Sequence, residues 1–160
     1  MKVCCAAMVT IVLASPALAG DCEAWKAGLE QDEGGMMMTA SICATDRPDD
    51  LLLVTCGGEG KIGLRFLPAT GDDFPPNSDM NYRAPFVFAS GSLSAEIVLR
   101  YEAMDGALTA TPHRDSALVR ILKSAGPLIV TDKTGVLPTV TFELKGSSRA
   151  IGKVERACYS

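Results

Sequence analysis

An α+β fold is predicted: a mostly antiparallel β-sheet or sandwich, with two late helices packed on one side and two disulfides. Three observations predict it. From residue 36 to residue 110, short apolar or alternating runs are cut by turn residues, which is the pattern of successive strands. Apolar residues at sustained helical spacing occur only late, once before Gly126 and once at the C-terminus. Four cysteines, Cys22, Cys43, Cys56 and Cys158, follow a leader-like start.

Residues 1–19 read as a secretory signal peptide. Lys2 is the positive start, Val3 to Leu13 is mostly apolar, and Ala17-Leu18-Ala19 is a small-x-small cleavage site. Cys4 and Cys5 would leave with it. A lipoprotein acylated at Cys22 is disfavoured by Asp21, where a small residue is needed. The expected product is one domain, residues 20–160, periplasmic or secreted, with no membrane span because no later apolar run is long enough.

Asp21 to Glu33 is polar, with Trp25 and Leu29 at i,i+4 spacing that fits one or two helical turns. Trp25 has the ring to stack on a sugar or peptide, but packing beside a disulfide is the better reading. Met36 to Ala44 is a strand. Its three consecutive methionines invite Cu(I), yet strand neighbours face opposite ways and no other ligand follows at a useful spacing, so core packing is preferred. Thr45 to Asp50 turns, Leu51 to Cys56 is an apolar strand, and Gly57 to Gly60 turns again. Ile62, Leu64 and Phe66 then alternate with polar residues, which completes a three-strand meander.

Pro68 to Asn81 is the longest irregular segment, rich in proline, glycine and acids. Its acids do not have the spacing of a calcium loop, and Pro75-Pro76 interrupts them. Tyr82 to Ala89 is a strand that Pro85 places at an edge or bulge. Ala95, Ile97, Leu99 and Tyr101 alternate along the next strand, Asp105-Gly106 marks a hairpin, and Ala107 to Ala110 returns. Thr111-Pro112 has the composition of a helix start, Leu118, Ile121, Leu122 and Ala125 form a buried stripe, and Gly126-Pro127 ends it. Leu128 to Asp132 is a short strand.

The last unit is a strand in which Val140, Phe142 and Leu144 share a face, a turn at Gly146, and a helix capped by Ser147 or Ser148. Ala150, Ile151, Val154, Ala157 and Cys158 recur at helical spacing, with Arg149, Lys153, Glu155 and Arg156 largely outside the stripe.

Four cysteines allow three pairings. Cys43–Cys56, across neighbouring strands, and Cys22–Cys158, joining the chain ends, are preferred. In the chain-entropy model these would be worth roughly 3 and about 5 kcal/mol. Zinc is disfavoured because no C-x-x-C pair is present.

The chain has 15 basic and 19 acidic residues, with no basic stripe to neutralise phosphates, so nucleic acid is not an expected partner. The charges read as mixed, the pattern of a solvated surface. His113 is the only histidine. Asp115 and Ser116 lie too close to it in sequence for a relay geometry, and G-x-S-x-G, H-E-x-x-H and S-x-x-K are missing. No enzyme activity, metal or cofactor is expected.

The run from Thr141 to Cys158, with Gly146, Ala150, Ile151, Val154, Ala157 and Cys158 in place, resembles the C-terminal unit of VasI/TagO-like accessory proteins of type VI secretion systems. Leu52-Val54-x-Cys56 followed by an alternating strand, and the amphipathic helix before Leu128 to Val130, are similar as well. The resemblance implies a periplasmic, non-catalytic domain that contacts envelope or secretion components. The expected function is therefore an exported interaction module that docks through a sheet edge or the Pro68–Asn81 loop. Asp72, Asp73, Phe74, Asp79 and Tyr82 are its candidate binding residues. An inhibitor of a cell-wall hydrolase such as lysozyme is the alternative, since an acidic surface suits a basic enzyme. A small enzyme with His113 in a pocket is the third reading.

Overall fold

The computed structural model describes residues 22–32, 35–58, 60–70 and 74–159. The signal peptide expected at residues 1–19 lies outside them. Among the described residues, nine strands form one sheet: β1 (Lys26–Asp32), β2 (Gly35–Cys43), β3 (Leu51–Cys56), β4 (Ile62–Leu67), β5 (Arg83–Ser90), β6 (Leu93–Glu102), β7 (Ala107–Ala110), β8 (Pro127–Asp132) and β9 (Val140–Glu143). Two helices, α1 (Ala117–Leu122) and α2 (Ser147–Tyr159), come late in the chain. The strand order is β1-β2-β3-β4-β7-β6-β5-β8-β9, and every neighbouring pair is antiparallel. The predicted α+β class, the antiparallel sheet, the two late helices and the two disulfides are all present.

Alternation builds the core. On β5, Ala84, Phe86, Phe88 and Ser90 are buried while their neighbours are not. Phe66 of β4 stands edge-to-face with Phe86 at 6.1 Å and with Phe142 of β9 at 6.2 Å, so distant strands meet on one aromatic centre. All four buried α1 residues, Leu118, Val119, Ile121 and Leu122, join this core, as do Ala150, Ile151 and Val154 of α2. α1 packs on β5 and β6, and α2 packs on β1, β2 and β3.

The free side of β9 does not end the fold. Thr45, just past β2, donates its N–H to the Thr141 carbonyl (2.8 Å), and the Thr141 N–H donates to Asp46 (3.0 Å). Trp25, just before β1, gives its indole N–H to the Glu143 carbonyl (2.9 Å) and its backbone N–H to the Lys145 carbonyl (3.0 Å). The open end of the β1–β2 hairpin therefore closes over the β9 edge, and the sheet curls back on itself.

Several expectations are corrected. Where helical turns are expected within Asp21–Glu33, Lys26–Asp32 forms strand β1, paired along its length with β2. Trp25 and Leu29 fit either period, since i,i+4 is also two steps of a strand alternation. The three-strand meander thus has four strands. Pro85 lies on an interior strand, between β6 and β8, one residue past the last β5–β8 pair, Phe86 with Asp132: its carbonyl accepts from Lys133 N–H, and its missing donor falls where that ladder stops. Thr111-Pro112 does not start a helix. The Pro112 carbonyl accepts from Ile62, His113 bridges to Lys61, and α1 begins only after Ser116, whose hydroxyl accepts from Val119 N–H. That helix ends at Leu122, short of Ala125, and Pro127 opens β8. Trp25 is buried, as packing requires, and Met38 lies against the core, but Met36 is exposed.

The disulfide pairing is also corrected. The bonds are Cys22–Cys43 (Cα–Cα 4.9 Å) and Cys56–Cys158 (5.6 Å). The β2–β3 register pairs Cys43 with Leu51, so Cys56 sits five residues further along β3, about 17 Å away and beyond disulfide reach. On β1–β2, Lys26 pairs with Ser41, which brings the residues before Trp25 alongside Cys43. α2 lies over β1 to β3 and delivers Cys158 to the end of β3.

Candidate functional site

The C-terminal unit builds a broad concavity. Gly146, at φ +81°, turns the chain out of β9, and its carbonyl accepts the Ala150 N–H as α2 begins. A cleft of about 910 Å³ opens at this point. One wall is Ala24, Trp25 and Ala27, another is Ser124 to Gly126, and the floor and rim are Glu143 to Ala150 with Lys153. Trp25 is fixed there by its two bonds to the β9 extension, so this wall is held by the same contacts that close the sheet.

The charge of the cleft is positive. Among the described residues, Lys145, Arg149 and Lys153 line it against one carboxylate, Glu143. Among the described residues, none of the three cations is paired with a carboxylate. The first turn of α2 adds the N–H groups that an α-helix leaves without an internal acceptor, and the positive end of the helix dipole. Ser147, expected as a possible cap, makes no capping bond: it is 1% exposed, and its hydroxyl has no hydrogen-bond partner.

A second cleft of about 630 Å³ lies between the helices, lined by Arg114, Asp115, Lys123, Glu155, Arg156 and Tyr159. Its charges are largely satisfied. Lys123 reaches both Glu155 oxygens at 2.6 Å, the Arg114 guanidinium sits 5.4 Å over the Tyr159 ring, and the Tyr159 hydroxyl donates to the Lys61 carbonyl.

The loop candidates are placed differently from one another. Phe74 is half-buried and stands edge-to-face with Tyr82 (5.5 Å) and Tyr101 (5.4 Å). The Tyr82 hydroxyl lies 3.2 Å from the Thr134 hydroxyl, and burial, reinforced by nearby Asp132, raises its pKa against the opposing effect of that contact. Asp79 is exposed, and its carboxylate accepts from the Asn81 N–H. Asp72 and Asp73 lie outside the described residues. The structure thus brings Phe74 and Tyr82 together as packing groups and leaves Asp79 apart, on a turn.

His113 is exposed, with Nδ1 3.6 Å from Asp115. Among the described residues, no group of three His, Cys, Asp or Glu side chains could hold a metal, and no helix is long and apolar enough to cross a membrane.

Arg149 and Lys153, largely outside the apolar stripe of α2, are not among the expected binding residues. The available signal was the i,i+4 spacing of Lys145, Arg149 and Lys153 across a helix start. The charges also segregate more than the mixed pattern suggested: residues 20–110 hold 15 acids and 6 bases, and residues 111–160 hold 4 acids and 8 bases. Comparison of the chain with protein families, curated proteins and solved structures finds no match.

Proposed function

We propose that this chain is an exported, non-catalytic interaction module of the bacterial envelope, cleaved near Ala19 and acting as an accessory of a type VI secretion or envelope assembly. Its disulfides fit an oxidising compartment. The resemblance of the Thr141–Cys158 run supports the accessory role. One observation carries the docking site: the cleft at the head of α2 presents cations with no carboxylate partner among the described residues, whereas Phe74 and Tyr82 of the loop are engaged in packing. The cleft therefore takes precedence over the loop.

Site-specific photo-crosslinking in intact cells tests this reading. A crosslinker at Arg149 is expected to capture an envelope or secretion component that one at Asp79 does not. Capture from Asp79 alone returns the contact to the loop. Capture of no such component from either position rejects the interaction module.

A second reading, an inhibitor of a cell-wall hydrolase such as lysozyme, is favoured by the acidic excess of residues 20–110. It requires loss of lysozyme activity at micromolar protein, and unchanged activity removes it.

A further inference from the structure

We infer that the outer edge of β1 pairs with the same edge of a second copy of this chain, antiparallel and centred on Leu29. This contact goes beyond docking at the cleft and does not depend on it.

β1 ends the strand order, and no strand of the described residues pairs on its outer side. The direction of its backbone groups follows from the registers. The Ala44 N–H donates to the Asp50 carbonyl at the end of the β2–β3 pair, so even-numbered β2 residues bond to β3 and odd-numbered ones to β1. Their β1 partners are Lys26, Gly28, Glu30 and Asp32. Ala27 and Leu29 therefore turn their N–H and C=O groups to the open side, the side on which Trp25 N–H meets Lys145. Among the described residues, nothing bonds to these groups of Ala27 and Leu29. Proline or a bulge ordinarily blunts such an edge, yet β1 has no proline and its seven pairs with β2 run without a bulge. Leu29 faces the core side of the sheet, opposite Met38, but is 61% exposed with no strand outside it, and Met36 on the same face is 60% exposed. On the other face, a Cβ placed at Gly28 would meet nothing within 4 Å. The edge is open to another strand.

The sequence of β1 selects a second copy as the occupant. Laid antiparallel on itself about Leu29, KAGLEQD sets Leu29 against Leu29, Lys26 against Asp32 and Gly28 against Glu30. The apolar residue meets its own image, opposite charges meet at both ends, and no like charges are opposed. The central pair is a hydrogen-bonded one, because both copies of Leu29 turn their backbone groups outward. A slip of two residues one way opposes Glu30 to Glu30. A slip the other way separates the leucines and draws in Trp25, whose N–H Lys145 already holds. A two-fold contact of this kind closes after one partner, so the product is a dimer.

The test is sedimentation velocity of the full exported chain, with both disulfides formed, from about 1 μM to about 1 mM, a range that detects a Kd of about 1 mM or tighter. The mass is expected to double and to rise no further. Leu29→Lys sets like charges on the two-fold axis and is expected to weaken association at least tenfold. The position is exposed, so the monomer is expected to keep its melting temperature. Leu29→Cys reads the register. Opposed residues of a hydrogen-bonded pair lie about 5.5 Å apart at Cα, within disulfide reach, so mild oxidation is expected to join two copies at position 29. Lys26→Cys is expected to join none, because its two positions lie six residues apart along the pair, about 20 Å. A chain that stays monomeric throughout the range overturns the inference. So does association that Leu29→Lys leaves unchanged, or a bond at position 26 that forms as readily as one at position 29. Crosslinking at Arg149 in cells reports on the cleft alone, so either reading can fail without the other.

Discussion

Single carboxylates hold the turns of this protein. Asp132 is buried at the end of β8 and accepts from the Thr134 N–H (2.8 Å), the Thr134 hydroxyl and the Leu137 N–H (3.0 Å). Asp132→Ala is expected to cost about 2–3 kcal/mol, because it strands the buried Leu137 donor. Urea titration should show a lower midpoint with an unchanged slope. Tyr82 makes a prediction in pH. Its hydroxyl holds its proton above the ordinary tyrosine range, because burial disfavours the phenolate. The folded state then retains a proton that the unfolded state has lost. This contribution to stability is fully present below about pH 10 and is lost as pH rises through the folded value. Alkaline titration by phenolate absorbance is expected to lose a component that titrates above the ordinary tyrosine value in Tyr82→Phe. The same scale shows why two of the loop's expected binding residues, Phe74 and Tyr82, serve as packing groups. Phe74 and Tyr82 were visible as aromatic residues in an irregular segment, but their partner Tyr101 comes from β6, a distant strand that local sequence does not announce.

At the scale of elements, alternation made most of the sheet legible, from β2 through β9. Errors fell where two periods coincide or where a tertiary partner intervenes. Trp25 and Leu29 satisfied both helix and strand. Thr111-Pro112 had the composition of a helix start, but its backbone was taken by Lys61 and Ile62. The closure of β9 could not be read at all, since its acceptors are met by Trp25 and Thr45, roughly a hundred residues away. That closure predicts an exchange pattern. Thr141 lies on the side of β9 away from β8, yet its N–H donates to Asp46. Its amide is expected to exchange slowly in the native protein and at least tenfold faster in Asp46→Ala, while the amides that β9 donates to β8 keep their protection. Equal exchange in both proteins would show that the contact does not hold the edge.

For the molecule as a whole, the disulfides set the largest entropic constraint. The bonds close separations of 21 and 102 residues. In the chain-entropy model, C22S/C43S is expected to lose about 3 kcal/mol and C56S/C158S about 5, measured by denaturant unfolding. Non-reducing peptide mapping should recover the same two linkages and no Cys43–Cys56 peptide. The mistaken pairing was avoidable in part: a turn at Thr45–Asp50 already puts Cys43 beside the turn and Cys56 at the far end of the next strand. The true partner of Cys56 required knowing where α2 would lie. The connectivity has a consequence for biogenesis. On the proposed export route, with Cys4 and Cys5 removed in the signal peptide, a chain delivered N-terminus first exposes Cys22, Cys43, Cys56 and Cys158 in that order, so an oxidase joining the thiols as they arrive makes the native pairs directly, without shuffling by an isomerase. Until its final residues emerge, such a chain carries one waiting thiol, Cys56, and the last cysteine to arrive is the one that locks the assembled sheet.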